Sequence, residues 1–219
     1  MNLDFSQFMP SMPYILKGIL VTLKIVILAG VMGFIFGIIL SLFKISRFKF
    51  LGWFADFYTS VFRGTPLVLQ LMLIYFGSPQ IFGYQIEPYT AAVLSFALNS
   101  GAYISEIIRA GILAVDKGQQ EAAMALGVPY GKMMWDIILP QALKNILPAL
   151  MNEFITLTKE SAIVTTIGVM DIMRRSYQVG AEYYSYFEPL LIAGLIYYVM
   201  VVTLTFLGKA IERRMRRSD

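Results

Sequence analysis

From Gly18 to Phe43 the chain runs through apolar residues with a single charge, Lys24. A run of that length crosses the roughly 30 Å hydrocarbon core of a bilayer as one helix. Lipid offers no hydrogen-bond partners, so only helices and closed barrels satisfy their own backbone there. The composition, 58% hydrophobic and 15% charged, fits the first option, because the ten-residue alternation of barrel strands is missing. Four more spans follow, at about 53–77, 89–113, 141–170 and 188–207, with a polar loop at 114–140. The expectation is an all-α membrane protein with five transmembrane helices in a single domain, 1–219. A sixth helix would arise if 171–187 dips into the membrane.

Several function classes drop out. There is no cysteine, hence no disulfide and no thiolate metal site, and no histidine to serve as metal ligand, base or proton relay. No cleavable signal is expected, because residues 1–15 carry Asp4, Pro10 and Pro13 and no basic n-region. Those prolines also argue against a long helix before residue 18. Lys44, Arg47, Lys49, Lys117, Lys132 and the tail Lys209, Arg213, Arg214, Arg216, Arg217 fall on one side of the five-span topology. The other side holds Lys17, Arg174 and Arg175. Basic loops stay cytoplasmic, so the N-terminus is expected outside and the C-terminus and 114–140 inside.

Within the spans, Gly33 and Gly37 form a G-x-x-x-G step that lets another helix approach closely. The second span carries Arg63-Gly64-Thr65-Pro66 near its centre, with Gln70 one turn on, which predicts an interrupted helix. In the third span Asn99, Tyr103 and Glu106 share one face, and Arg109 is placed to pair with Glu106. The fourth is expected to bend or break near Lys159-Glu160-Ser161. Before that break Glu153, Thr156 and Glu160 fall on one face. A charge at mid-membrane costs on the order of 2.5–3.5 kcal/mol, so Arg63, Glu153, Lys159 and Glu160 should face a cavity or one another. Two uses stay open: contact with a ligand, or internal pairing such as Arg63 with Glu160.

In the polar loop, Asp116 can cap a helix and Gln119 can complete a capping box. Ala122, Ala123 and Leu126 then share a face, Gly127 suits the stop, and Pro129 suits the first turn of a second helix. The product is a helical hairpin with an alanine face small enough to press into a groove of another protein. An ordinary interfacial hairpin would show the same chemistry.

The matching residues Glu121, Ala122, Ala123 and Gly127, followed by Ile138-Leu139-Pro140, resemble the cytoplasmic coupling loop of ATP-binding-cassette (ABC) importer permeases. Three further stretches are similar to the polar amino acid subfamily: Arg63-Gly64-Thr65-Pro66-Leu67 with Gln70 and Tyr75; Asn99 to Glu106 with Arg109-Ala110-Gly111; and Lys159-Glu160-Ser161 with Ile167-Gly168-Val169. The resemblance implies a MetI-like five-helix permease core with cytoplasmic coupling helices, in a bacterial cytoplasmic membrane. The partners it implies are a second permease subunit (homodimer or sister permease), two cytoplasmic ATPase subunits and an extracytoplasmic solute-binding protein. ATP and Mg2+ would sit on the ATPases; this chain has no G-x-x-x-x-G-K-[ST] phosphate loop, and no cofactor or nucleic acid is expected on it.

The implied function is a non-enzymatic transport subunit working by alternating access. On this reading Arg63, Thr65, Gln70, Asn99, Tyr103, Glu153, Thr156 and Glu160 line a substrate site, and Glu121, Ala122, Ala123, Leu126 and Gly127 couple to the ATPase. Arg63 would fork a substrate carboxylate, and two acids on one face point to a basic amino acid. The alternative substrate is neutral or acidic, for example glutamine or glutamate, with Arg63 and Lys159 neutralising the acids. A channel would show pore-lining rings or repeated filter loops, which are not found, and a scaffold needs no mid-membrane charge.

Overall fold

The structure is a computed structural model that describes residues 4–216. Arg217 of the basic tail lies outside the described residues.

The first helix starts earlier than its prolines suggested. Pro10 is absorbed in a 3-10 turn, Ser6–Ser11, and α1 runs Met12–Ile45. Pro13 stands in the first turn of α1, where a missing N–H costs nothing because that donor has no intrahelical partner. The second span is two helices, α2 (Lys49–Gly64) and α3 (Leu67–Phe82), meeting at 103°. Gly64 and Pro66 account for the break: Pro66 lacks the N–H that the previous turn would need, and it biases Thr65 to extended backbone (φ −121°, ψ 148°). Next come α4 (Pro88–Leu113) and the short α5 (Lys117–Ala125). One turn of α6 (Tyr130–Lys132) passes through a π-helical stretch, Met133–Ile138, into α7 (Leu139–Glu160). The expected break after Glu160 is there: a 3-10 turn, Ser161–Ile167, ends at Gly168 with φ +86°. The stretch 171–187 supplies α8 (Ile172–Glu182), and α9 covers Phe187–Arg216.

By length and composition α1, α4 and α9 are apolar enough to cross a membrane, and the bent α2–α3 pair makes a fourth span. α7 is the fifth long helix of the bundle. It is too polar to be recognised by composition, and it packs between α4 and α9.

The G-x-x-x-G step works inside the chain. A Cβ on Gly33 would come 2.9 Å from Ser100 Cβ, and one on Gly37 would come 2.5 Å from Ile104 Cγ2. Contacts that close leave no room for a methyl group, so α1 and α4 are seated backbone to backbone. The main core, including Ile25, Ala29, Leu71, Phe96 and Leu157, lies among α1, α3, α4 and α7. A second cluster underlies the polar loop (Val115, Ala123, Met133, Ile138, Ala142, Ile146). A third, at the opposite end, joins Phe8, Ile15, Ile172, Val179 and Ala193. The described residues of α1 and α9 leave many Leu, Ile, Val and Phe side chains exposed, as lipid-facing helices do.

Candidate functional site

The α2–α3 break frees carbonyls, and neighbouring side chains take them up. Thr65 Oγ1 donates to Val61 O (2.9 Å). Gln70 Nε2 donates to Phe62 O (2.8 Å) and is shared with Thr65 O (3.1 Å) and Thr65 Oγ1 (2.9 Å). Asn99 Nδ2 reaches across from α4 to Phe62 O and Gln70 Oε1, both at 3.0 Å. Gln70 and Asn99 are buried. Their amides do the work that intrahelical bonds do in an unbroken helix. Thr65, Gln70 and Asn99 are thus brought together by the break itself, which their order in the sequence did not reveal.

On the outer face of this break the guanidinium of Arg63 lies 5.2 Å from the centre of the Tyr103 ring, an attraction of about 0.5–2 kcal/mol according to how dry the site is. Among the described residues no carboxylate pairs with Arg63, so the pairing with Glu160 is not formed.

The α7 acids look elsewhere. Glu153 lines a cleft of ≈420 Å³ between α1, α4 and α7, whose walls include Gly30, Phe34, Leu150 and Phe154. Ser100 and Glu153 are the polar members of this lining. Glu160, two helical turns further along α7, does not line this cleft, and its neighbour Lys159 is exposed. Thr156 is half-buried on the stripe between the two acids. Within one chain, therefore, the expected site residues form two groups rather than one. The reason is α4: Asn99 and Tyr103 point to the α2–α3 break, whereas Ser100, one 100° step around the helix, points to the cleft.

Sequence reading paired Glu106 with Arg109 and missed the third member. Glu106 Oε2 accepts from Arg109 Nε (3.0 Å) and Nη2 (2.8 Å), while Oε1 accepts from Lys44 Nζ on α1. Lys44 also meets Asp56 Oδ1 at 3.1 Å and donates to Thr59 Oγ1 at 2.9 Å, both on α2. One buried ammonium thus ties α1, α2 and α4 together at the end that carries the polar loop. Its partners are up to 62 positions away, beyond any local pattern.

In the loop, Asp116 Oδ1 caps α5 by accepting from Gly118 N (2.7 Å). The second half of the capping box does not form; the Gln119 side chain instead accepts from Gln141 Nε2 (3.4 Å). Gly127 ends the helix at φ +69°, a left-handed conformation a side chain would strain. Pro129 is the N-cap of α6 and stands one place before the first turn. Ala123 faces the opposite way from expectation. It is 3% exposed, sealed in the cluster with Val115, Met133 and Ile138, and belongs to the hairpin's own core. Glu121, Ala122 and Leu126 are exposed, Leu126 at 83%, and Trp135 on the π-helix is exposed at 74%. The accessible face is therefore larger and more aromatic than an alanine stripe.

Comparison with known proteins follows the same lines. The family model described as "Binding-protein-dependent transport system inner membrane component" matches residues 33–217. The Bacillus subtilis arginine transport system permease protein ArtQ is 66% identical over the full length of both chains. A Rickettsia felis relative named for glutamine transport, GlnP, is 51% identical over 95% of this chain and 96% of its own. A solved structure described as an amino acid ABC transporter with histidines is 47% identical, covers 98% of this chain and 100% of its own, and superposes with a TM-score of 0.94. The chain belongs to the binding-protein-dependent transport system inner membrane components, as an ABC importer permease of the polar amino acid type.

Proposed function

We infer that this permease carries basic amino acids (arginine, lysine or histidine) and that Glu153 and Glu160 receive their cationic group. The observation that carries this reading is the cleft between α1, α4 and α7. Its lining is apolar except for Ser100 and Glu153, and Glu160 lies two helical turns further along the same stripe of α7. Lys159 is exposed, and Arg63 sits with Tyr103. An acid in so apolar a cleft, with a second acid on the same helical stripe, is best balanced by a cation brought in by the solute. The ArtQ relative is named for arginine, which supports the same class.

The rest of the machine is read accordingly. A second permease, identical or a sister, would bring its Arg63 and Tyr103 toward the solute's carboxylate, with Thr65, Gln70 and Asn99 holding the break that presents them. Two ATPase subunits carrying ATP and Mg2+ would grip Glu121, Ala122, Leu126 and Gly127. Closing them would rock the bundles between states open to either side, and an extracytoplasmic protein would deliver the solute. In a bacterial inner membrane this puts the N-terminus outside and the C-terminus in the cytoplasm.

The test is solute-stimulated ATPase activity of the reconstituted complex across the amino acids. Loss of a charged hydrogen bond, about 1.5–3 kcal/mol, corresponds to a roughly 10- to 150-fold weaker apparent affinity. Glu153→Gln and Glu160→Gln should show it for arginine and lysine and much less for glutamine. Equal losses for charged and neutral solutes would reject recognition at these acids. The GlnP relative supports a second reading, glutamine, and a wild type stimulated by glutamine but by no basic amino acid would establish that one instead.

A further inference from the structure

Past Glu160 the chain leaves α7 through the 3-10 turn and enters α8, and between turn and helix lies another cavity. It measures ≈360 Å³ and is lined by Thr165, Thr166, Met173, Arg174 and Tyr177. It stands at the end of the molecule opposite the coupling loop. A 3-10 rise of about 2 Å per residue puts Thr165 roughly 10 Å beyond Glu160.

Arg174, which lines this cavity, and its neighbour Arg175 are used differently. Arg175 turns to the backbone and to Tyr14: Nε donates to Met170 O (3.0 Å), Nη1 to Tyr14 O (3.4 Å), and the guanidinium lies 4.6 Å from the centre of the Tyr14 ring. Among the described residues Arg174 gives only its backbone N–H, to Asp171 Oδ1 at 2.8 Å. Its Nε is shut off from solvent with no acceptor, and among the described residues no carboxylate pairs with it. Asp171, the acid nearest in sequence, is already occupied. Oδ1 takes that backbone donor, and Oδ2 takes the Tyr197 hydroxyl at 2.9 Å. A guanidinium without a counter-charge thus borders a cavity that also holds three hydroxyl-bearing side chains. The Thr166 hydroxyl already donates to Ile163 O, whereas those of Thr165 and Tyr177 make no such bond among the described residues. The Tyr177 ring is steadied against Tyr186, 5.0 Å between centres.

We propose that this cavity is an anion site for the α-carboxylate of an amino acid, with Arg174 as the charged fork and Thr165 and Tyr177 as additional donors. A planar guanidinium matches a carboxylate with two parallel N–H bonds, and leaving such a cation unpaired beside a cavity is costly unless a ligand or water completes it. The site is separate from the α7 acids and precedes them on a path from that end of the molecule. It rests on the reading of the chain as an amino acid permease but not on the basic side chain, because every α-amino acid carries the carboxylate.

The experiment is calorimetric binding to the purified permease–ATPase complex, without the solute-binding protein. The probes are L-arginine, L-glutamine and the methyl ester of each, tested on wild type, Arg174→Met and Arg174→Lys. The wild type should prefer each free acid to its ester. Arg174→Met should weaken the acids about 10- to 100-fold and leave the esters unchanged, and Arg174→Lys, which keeps the charge but not the fork, should fall between. A merely structural arginine would shift acid and ester alike. Should Arg174→Met fail to assemble, the acid-to-ester ratio in Arg174→Lys decides. An unchanged ratio in the variants, or a wild type that binds neither free acid, overturns the proposal. Binding of glutamine but not arginine would retire the basic-substrate reading while the glutamine pair still tests Arg174.

Discussion

Glu106 holds two cations at once, and the balance is delicate because Lys44 is 6% exposed whereas its other acid, Asp56, is 72% exposed. An exposed carboxylate attracts weakly through water, so most of the compensation for the buried ammonium comes from Glu106. Removing one side of a buried pair leaves the other charge stranded. Glu106→Gln should therefore destabilise the permease by about 3–5 kcal/mol, seen as early loss of the monodisperse complex in a thermal-stability series in detergent. Lys44→Met on top of it should recover much of the loss, because an uncharged chain of similar volume needs no partner. If the double variant is no more stable than Glu106→Gln alone, the ammonium is not what the carboxylate compensates.

Among the elements, α5 makes the clearest division between a buried face and an exposed one. Ala123 points into the cluster formed with Val115, Met133 and Ile138, while Leu126, three residues on, stands in the open. Ala123→Leu should overpack that cluster by about 1–3 kcal/mol, lowering the thermal stability of the permease expressed without its ATPase. Leu126→Asp should leave that stability alone and reduce co-purification of the ATPase. The reverse pattern would turn the helix over. Much of this architecture was legible in advance. Gly64 and Pro66, Gly127, and the break after Glu160 are statements about local backbone chemistry, which the chain carries in its own order. α1, α4, α9 and the bent α2–α3 pair were legible because lipid demands length and apolarity, a test that α7 does not meet. What could not be read is what meets across the bundle: Lys44 finding Glu106, Asn99 reaching Phe62 O, Ala123 turning inward, and α4 separating Arg63 from the α7 acids. Each depends on packing between elements far apart in sequence, for which periodicity gives a face but no neighbour.

At the scale of the molecule, the polar-loop hairpin and the cleft that Glu153 lines belong to one piece of structure. From Tyr130 the backbone is helical without interruption through Met133–Ile138 to Glu160. A displacement applied at Trp135 or α6 is passed along a rod to Glu153, while the Lys44 ties hold α1, α2 and α4 beside it as a unit. The π-helical stretch in that rod has a consequence for how the gene tolerates changes of length. An i→i+5 turn stores one residue more than an α turn, so this is the place where the rod has a residue to spare. Deleting Asp136, exposed within the stretch, should let it close as ordinary α-helix, with the hairpin and the acids both keeping their bearings. Deleting Asn152, equally exposed but inside α7, should turn everything on one side of it by about 100° and shift it by about 1.5 Å, swinging Glu153 out of its cleft. Amino acid-stimulated ATPase activity of the two deletion variants is the measurement. The first should retain it and the second lose it; equal loss would mean that the wide turn is itself needed for coupling.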